Sequence, residues 1–218
     1  MTVRQATIAI CSAFAAGAAA TAAEFRATAL TPEYILVQGD CSADESAAFF
    51  ADPRAEKAKN AGQDWKVQRE QLALHQDIEK TVRAPFAEKM RAIPGAISYW
   101  PEANGMKHYV EPDGHRFIVK AGEVIHNAFV KVPPMKPGDT VDLGVAGSFI
   151  YDPALPSPVF KVNQVGYLPQ ATKYAYLGAW LGPAGPLPLA AFAGKPFKVV
   201  NAATGATALE GILAARRA

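Results

Sequence analysis

The chain has 218 residues, a net charge of +2 at pH 7 and a hydrophobic residue content of 50%. This length allows one large domain or two small ones, and this hydrophobic content is sufficient for a buried core. The charge is too small to favour nucleic acid or an anionic membrane surface, so neither is expected as a partner.

The first 23 residues have the pattern of a secretory signal peptide. Arg4 supplies a weakly positive start, residues 6–20 are mostly small and apolar, and Ala20-Thr21-Ala22 matches an Ala-x-Ala cleavage sequence. An alanine-rich helix or a membrane anchor is the alternative, although the apolar run of about 15 residues is shorter than the ~20 that span a bilayer. We expect cleavage after Ala22 or Ala23, giving a periplasmic or secreted protein with no membrane contact.

Residues 31–150 are predicted to form a β domain. Short runs rich in β-branched and aromatic residues alternate with Gly, Pro, Asn and Asp, which is typical of strands joined by tight turns. Pro101 is expected to end the second of these strands, because proline cannot donate to a strand ladder. The predicted strands of this domain are 34–37, 96–100, 106–111, 115–119, 124–132 and 140–145.

A helical insertion is predicted within this domain at about 46–90. Asp52-Pro53 has the pattern of an N-cap followed by proline at the first helical position, and Asp64 is predicted to cap a longer helix. Pro85 is expected to break or kink that helix. Packing of its apolar stripe on the sheet is favoured, and docking on a partner is the alternative.

Neither cysteine nor histidine chemistry is expected. Cys41 is the single cysteine beyond the predicted signal peptide, and its acidic neighbours disfavour a thiolate. The four histidines have no metal-ligand spacing, and phosphate-loop and nucleophile-elbow motifs are absent from the sequence. The sequence therefore predicts no metal site and no cofactor.

Three prolines in residues 151–158 indicate a semi-rigid linker, and we place a domain boundary there. Beyond it, the chain contains Phe-Lys-Val-Asn-Gln-Val-Gly-Tyr-Leu-Pro from Phe160, followed by Lys-Tyr-Ala from Lys173. This segment resembles the start of the immunoglobulin-like domain of glycoside hydrolase family 9, the cellulase and endoglucanase family. Further strands are predicted at 159–162, 173–177, 197–200 and 208–213.

The strand pattern of residues 31–150 indicates an antiparallel sandwich or a small barrel. Together with the resemblance of the C-terminal segment, we expect a mainly β protein with two consecutive immunoglobulin-like sandwiches, the first carrying the helical insertion. The second sandwich is expected to be incomplete, because an immunoglobulin-like domain has about 100 residues and residues 159–218 provide fewer. In the family this domain precedes a catalytic barrel. We therefore expect the non-catalytic N-terminal part of a secreted, β-1,4-glucan-degrading enzyme, truncated before its barrel.

No catalytic residue is predicted in this chain. The resemblance implies an inverting mechanism with a general base in an Asp-Ala-Gly-Asp motif, which the sequence lacks. The similar segment Asn60-Ala61-Gly62-Gln63-Asp64 lacks the first Asp and is predicted to be a helix end followed by a cap.

Two sets of residues are candidates for binding. Asn163, Gln164 and Tyr167 combine amides with a hydroxylated ring, which suits a half-buried interface with the barrel. Trp100 and Trp180 are candidates for stacking on sugar rings, with burial in the core as the alternative. A stand-alone carbohydrate-binding module, or a periplasmic assembly module that adds a partner strand to an open sheet edge, is the alternative function.

Overall fold

The computed structural model describes residues 24–59, 65–105, 107–110, 114, 116–119, 123–162, 168, 170, 172–201 and 203–215. The strands in these ranges are β1 (Glu24–Thr31), β2 (Tyr34–Asp40), β3 (Ala96–Asn104), β4 (Lys107–Val110), β5 (Arg116–Val119), β6 (Glu123–Lys131), β7 (Thr140–Asp142), β8 (Ser148–Ile150), β9 (Phe160–Val162), β10 (Ala175–Leu177), β11 (Pro196–Val200) and β12 (Thr207–Ile212). The helices are α1 (Ser42–Ala51), α2 (Pro53–Lys59), α3 (Trp65–Ile78) and α4 (Ala84–Arg91), with a π-helical turn at Glu79–Arg83 between the last two. The predicted mainly β fold with a helical insertion is confirmed.

A four-stranded antiparallel sheet with the order β1-β2-β6-β3 forms the centre of the fold. The remaining strands pair as hairpins: β4 with β5, β7 with β8, β9 with β10, and β11 with β12. Because successive side chains on a strand point to opposite faces, the central sheet has two distinct surfaces. We call the surface with Ile35 and Val37 the helical face, and the surface with Leu36 and Gln38 the cleft face.

The helical face carries the largest hydrophobic core. Ile35, Val37 and Val130 pack there against Phe86 and Met90 of α4, and all five side chains are buried. This packing explains why the predicted insertion stays on the sheet. Close approach of the helix also requires glycine in β2, because a Cβ atom on Gly39 would lie 2.8 Å from both the Met90 sulfur and a Phe86 ring carbon.

Pro85 does not break the insertion. The chain passes from α3 through the π-helical turn directly into α4, where Pro85 occupies the first turn. A proline removes one N–H donor from a helix, and a π-turn changes the hydrogen-bond register just before it. The predicted cap at Asp52 is present, with its Oδ1 accepting the Arg54 backbone N–H at 2.8 Å. Asp64 lies outside the described residues.

Beyond shifts of one to three residues at strand ends, the strands differ from prediction in three places. First, β3 continues through Pro101 to Asn104 because it is an edge strand of its sheet, where a missing donor is tolerated. Second, the sequence did not predict β1. Third, the strand predicted at 140–145 is shorter, and a 3₁₀ turn at Gly144–Ala146 leads from β7 into β8.

Part of the cleft face is covered by the chain that follows residue 156. Val159 and Leu187 join Leu30, Tyr34 and Phe129 in a second buried cluster. The Ser157 hydroxyl donates to the Leu30 carbonyl at 3.0 Å, which fixes the start of this covering segment. Segments on either side of residues 151–158 thus share one hydrophobic cluster. Within the described part of the chain, none of the helices has the length and apolar character to cross a bilayer.

Candidate binding cleft

The two candidate tryptophans line the same cleft. Trp100 lies on the cleft face of β3, and Trp180 lies in the covering segment, where its backbone forms an isolated antiparallel bridge with Pro186. The cleft has a volume of about 300 Å³. Trp100 is 51% exposed and Trp180 is 66% exposed, so neither ring is a core residue. Their predicted role in sugar stacking stays a prediction.

Glycine makes this arrangement possible. Gly182 lies beside β3 with a φ of +60°, and a Cβ atom there would lie 3.0 Å from the Trp100 Cβ atom. An L-residue disfavours that backbone conformation and would also crowd the tryptophan. The Ser98 hydroxyl donates a hydrogen bond to the Leu181 carbonyl and holds the same turn against the strand.

The polar floor of the cleft is an amide pair. The Gln38 side-chain N–H donates to the Asn127 Oδ1 at 3.0 Å, and the Asn127 Nδ2 donates to the Trp100 carbonyl at 3.3 Å. Asn127 is only 5% exposed, so the pair is fixed in place. Among the described residues, the Gln38 side-chain oxygen has no hydrogen-bond donor, and it is a free acceptor at the cleft floor.

Two opposite charges complete the lining. Glu102 of β3 and Lys161 of β9 are both exposed, and both line the cleft. Neither forms an ion pair with another residue in the described ranges. The cleft therefore combines two aromatic rings, free acceptors and one cation, with no net charge. Its other lining residues are apolar: Leu30, Leu36, Phe129, Pro158, Ala179 and Gly182.

A cysteine–histidine pair lies on the opposite, helical face. The Cys41 sulfur is 3.7 Å from His126 Nε2, and the Tyr99 hydroxyl is 2.7 Å from His126 Nδ1. This order of groups is similar to that of a nucleophile, a base and an orienting residue. Burial, however, raises the pKa of the Cys41 thiol to about 12 and lowers the pKa of His126 to about 4. The pair is a structural contact. Burial contributes more than the acidic neighbours of Cys41 to the raised pKa of its thiol.

A buried ion cluster joins the helical insertion to β4. Glu45 accepts a hydrogen bond from Arg83 Nε at 2.8 Å and forms an ion pair with Lys107, and the Glu45 and Lys107 side chains are each 2% exposed. Burial alone would raise the pKa of Glu45, but Arg83 and Lys107 outweigh it and lower that pKa. The carboxylate is permanently charged at neutral pH, so Glu45 is unsuited to act as a general acid.

Sequence reasoning missed this cluster, because its members are far apart in the chain. Close to it, His75 Nδ1 lies 2.5 Å from the Tyr109 hydroxyl, and burial lowers the pKa of His75. The helical π-turn that contains Arg83 is not visible in the residue pattern. Among the described residues, no group of three or more His, Cys, Asp or Glu side chains is placed to hold a metal ion.

The predicted barrel-interface residues Asn163, Gln164 and Tyr167 lie outside the described residues. Their role at a domain junction stays a prediction. The strands that flank them are described: β9 pairs with β10 in an antiparallel register that places Lys161 opposite Tyr176.

Comparison with known proteins gives one match. Residues 156–218 match the family model of the cellulase N-terminal ig-like domain. Curated proteins and solved structures gave no match. The matched region contains the Asn-Gln-Val-Gly-Tyr motif and covers less than a third of the chain. The C-terminal part of this protein is thus similar in sequence to a cellulase N-terminal ig-like domain, which is the resemblance that its motif predicted.

Proposed function

We propose that this chain is the non-catalytic N-terminal part of a secreted family 9-like glycoside hydrolase that acts on β-1,4-glucans. Its role is to brace a catalytic barrel that follows the immunoglobulin-like module. The observation that carries this proposal is the match of residues 156–218 to a domain named for its position at the N-terminus of cellulases.

The chemistry of the described residues supports a non-catalytic role. Glu45 is an ion-paired carboxylate, and Cys41 and His126 are buried in their neutral forms. An inverting glycosidase needs a carboxylic acid with a raised pKa and a second, ionised carboxylate beside a water-filled gap. We therefore expect this chain by itself to leave β-1,4-glucans unhydrolysed.

The hairpins of the module support a bracing role. Phe160 and Val162 of β9, and Leu209 and Ile212 of β12, are all more than half exposed. Two-stranded hairpins are only marginally stable in water without a further apolar partner. Contact with additional strands or with a barrel would bury these side chains and stabilise both hairpins.

The first test is the gene sequence that follows the Ala218 codon, in all reading frames. The expected result is a coding region for a helical barrel with an Asp-Ala-Gly-Asp-like motif. Unrelated sequence after a stop codon would overturn the proposal.

A second test compares amide hydrogen exchange in the 218-residue chain with exchange in the same chain joined to that barrel. We expect the β12 amides to exchange at least about tenfold more slowly in the longer protein. Unchanged exchange in β9 and β12 would argue against bracing, whatever activity the barrel has.

A further inference from the structure

We propose that the cleft between Trp100 and Trp180 binds a segment of a β-linked gluco-oligosaccharide. The cleft itself is argued from its geometry, and the choice of glucose as the sugar rests on the proposed function. The site would hold substrate near the enzyme without taking part in hydrolysis.

The two exposed indoles are the first reason. Tryptophan is usually well buried, so two half-exposed rings on one cleft are a costly feature for a surface without a ligand. The apolar C–H faces of a pyranose ring match the flat face of an indole, and burying both removes apolar surface from water. The cleft volume of about 300 Å³ is at the lower end for ligand sites. It suits part of a chain whose ends extend beyond the cleft.

The polar groups are the second reason. A sugar hydroxyl both donates and accepts, so its site needs acceptors and donors side by side. The Gln38 oxygen and the Glu102 carboxylate are acceptors, whereas Lys161 is a donor. None of these three groups is used by another described residue, and Asn127 already fixes the Gln38 amide. The hydrogen-bonding capacity is therefore held in position before the ligand arrives.

The charges and hydrogen-bonding groups of the cleft favour an oligosaccharide over other classes of ligand. Glu102 and Lys161 cancel, which favours a neutral ligand over a phosphate, a nucleic acid or a polyamine. A proline-rich peptide also binds aromatic grooves, but it offers mainly carbonyl acceptors. It would leave the Gln38 oxygen and the Glu102 carboxylate without donors, at a cost in binding free energy.

The test is isothermal titration calorimetry of the full chain with cellohexaose, with maltohexaose and a decaproline peptide as competing ligand classes. We expect saturable binding of cellohexaose, about tenfold or more weakened by Trp100→Ala and by Trp180→Ala. Glu102→Ala should weaken binding by a smaller factor. The matched control is Tyr174→Ala, because Tyr174 is an aromatic residue with 60% exposure that does not line the cleft.

Circular dichroism of each variant establishes that its fold is retained. Absence of cellohexaose binding, or binding that neither tryptophan substitution weakens, would overturn the proposal. Preferential binding of maltohexaose or of the peptide would overturn it as well. The tryptophan substitutions should leave the β12 exchange rates unchanged, so failure of this site and failure of the bracing role give different results.

Discussion

The two faces of the central sheet differ in whether their polar side chains have hydrogen-bond partners. On the helical face, His126 lies between Cys41 and Tyr99 and is 1% exposed. On the cleft face, its neighbour Asn127 orients Gln38, whose oxygen has no partner in the described part of the chain. Adjacent residues of β6 therefore belong to a buried polar cluster on one face and, on the other face, to an amide pair that has a free acceptor. The comparison indicates that the two surfaces differ in unused hydrogen-bonding capacity more than in residue type.

The two faces also differ in how their charges are arranged. Glu45 contacts both Arg83 and Lys107 where the helical insertion meets β4, whereas Glu102 and Lys161 stay exposed at the cleft. A buried charge is tolerated only when its partners remain in place. Substitutions on the helical face should therefore act on stability, and substitutions on the cleft face should act on binding.

Among substitutions of charged residues, the largest effect is expected for Glu45→Ala. Removing this carboxylate leaves Lys107 buried without its counter-ion and takes one carboxylate partner from Arg83, and breaking such a cluster costs about 3–5 kcal/mol. Urea unfolding at pH 7 measures the loss as a lower midpoint. Glu88→Ala is the control, because Glu88 is a 75% exposed member of a surface ion pair with Arg91 and should cost under about 1 kcal/mol. Equal losses in the two variants would contradict the difference between the two environments.

The second effect is a loss of stability in acid that depends on His126. Its folded-state pKa is lowered from 6.5 to about 4, chiefly by burial and then by the charge of Arg83. The unfolded chain therefore binds a proton before the folded protein does. Stability is fully present above pH 6.5 and falls as the pH drops towards 4, by up to about 3 kcal/mol.

Urea midpoints from pH 7.5 to pH 4 measure this slope, and His126→Gln should flatten it. Part of the slope should persist in that variant, because burial also lowers the pKa of His75. Glu45 has a lowered pKa, so its contribution should be lost only below its ordinary value of 4.5. A pH profile that is identical in the wild-type and variant proteins would exclude His126 as the source.

The sequence predicts features that depend on neighbouring residues. A compact apolar run at 34–37 and a run rich in apolar residues at 124–132 locate β2 and β6, and the cap at Asp52 follows from its own dipeptide. The prediction that Pro101 ends its strand was wrong. Proline is tolerated in an edge strand, and whether a strand lies at the sheet edge depends on the whole topology. The sequence also contains the Asn-Gln-Val-Gly-Tyr motif that predicts the similarity of residues 156–218 to a cellulase N-terminal ig-like domain.

The cleft itself could be only partly predicted from sequence. Trp100 and Trp180 are identifiable as candidates by residue type, but their exposure and their meeting in one cleft depend on contacts between distant segments. A weak signal does exist: Gln38 and Asn127 are polar residues that adjoin apolar runs in β2 and β6. Such positions mark either a satisfied core pair or a ligand site, and only the fold shows that one of their oxygens is free.

The smallest effect on stability is expected for Trp180→Ala. This side chain is 66% exposed, so its removal should change the free energy of unfolding by no more than about 0.5 kcal/mol. The matched contrast is Phe49→Ala on the helical side, where a fully buried ring stacks on Tyr109 and truncation should cost about 3–5 kcal/mol. Urea unfolding of both variants gives the comparison directly. A loss above about 1 kcal/mol for Trp180→Ala would show that the ring supports the fold. If stability is unchanged while oligosaccharide binding is weakened, the tryptophan serves the ligand.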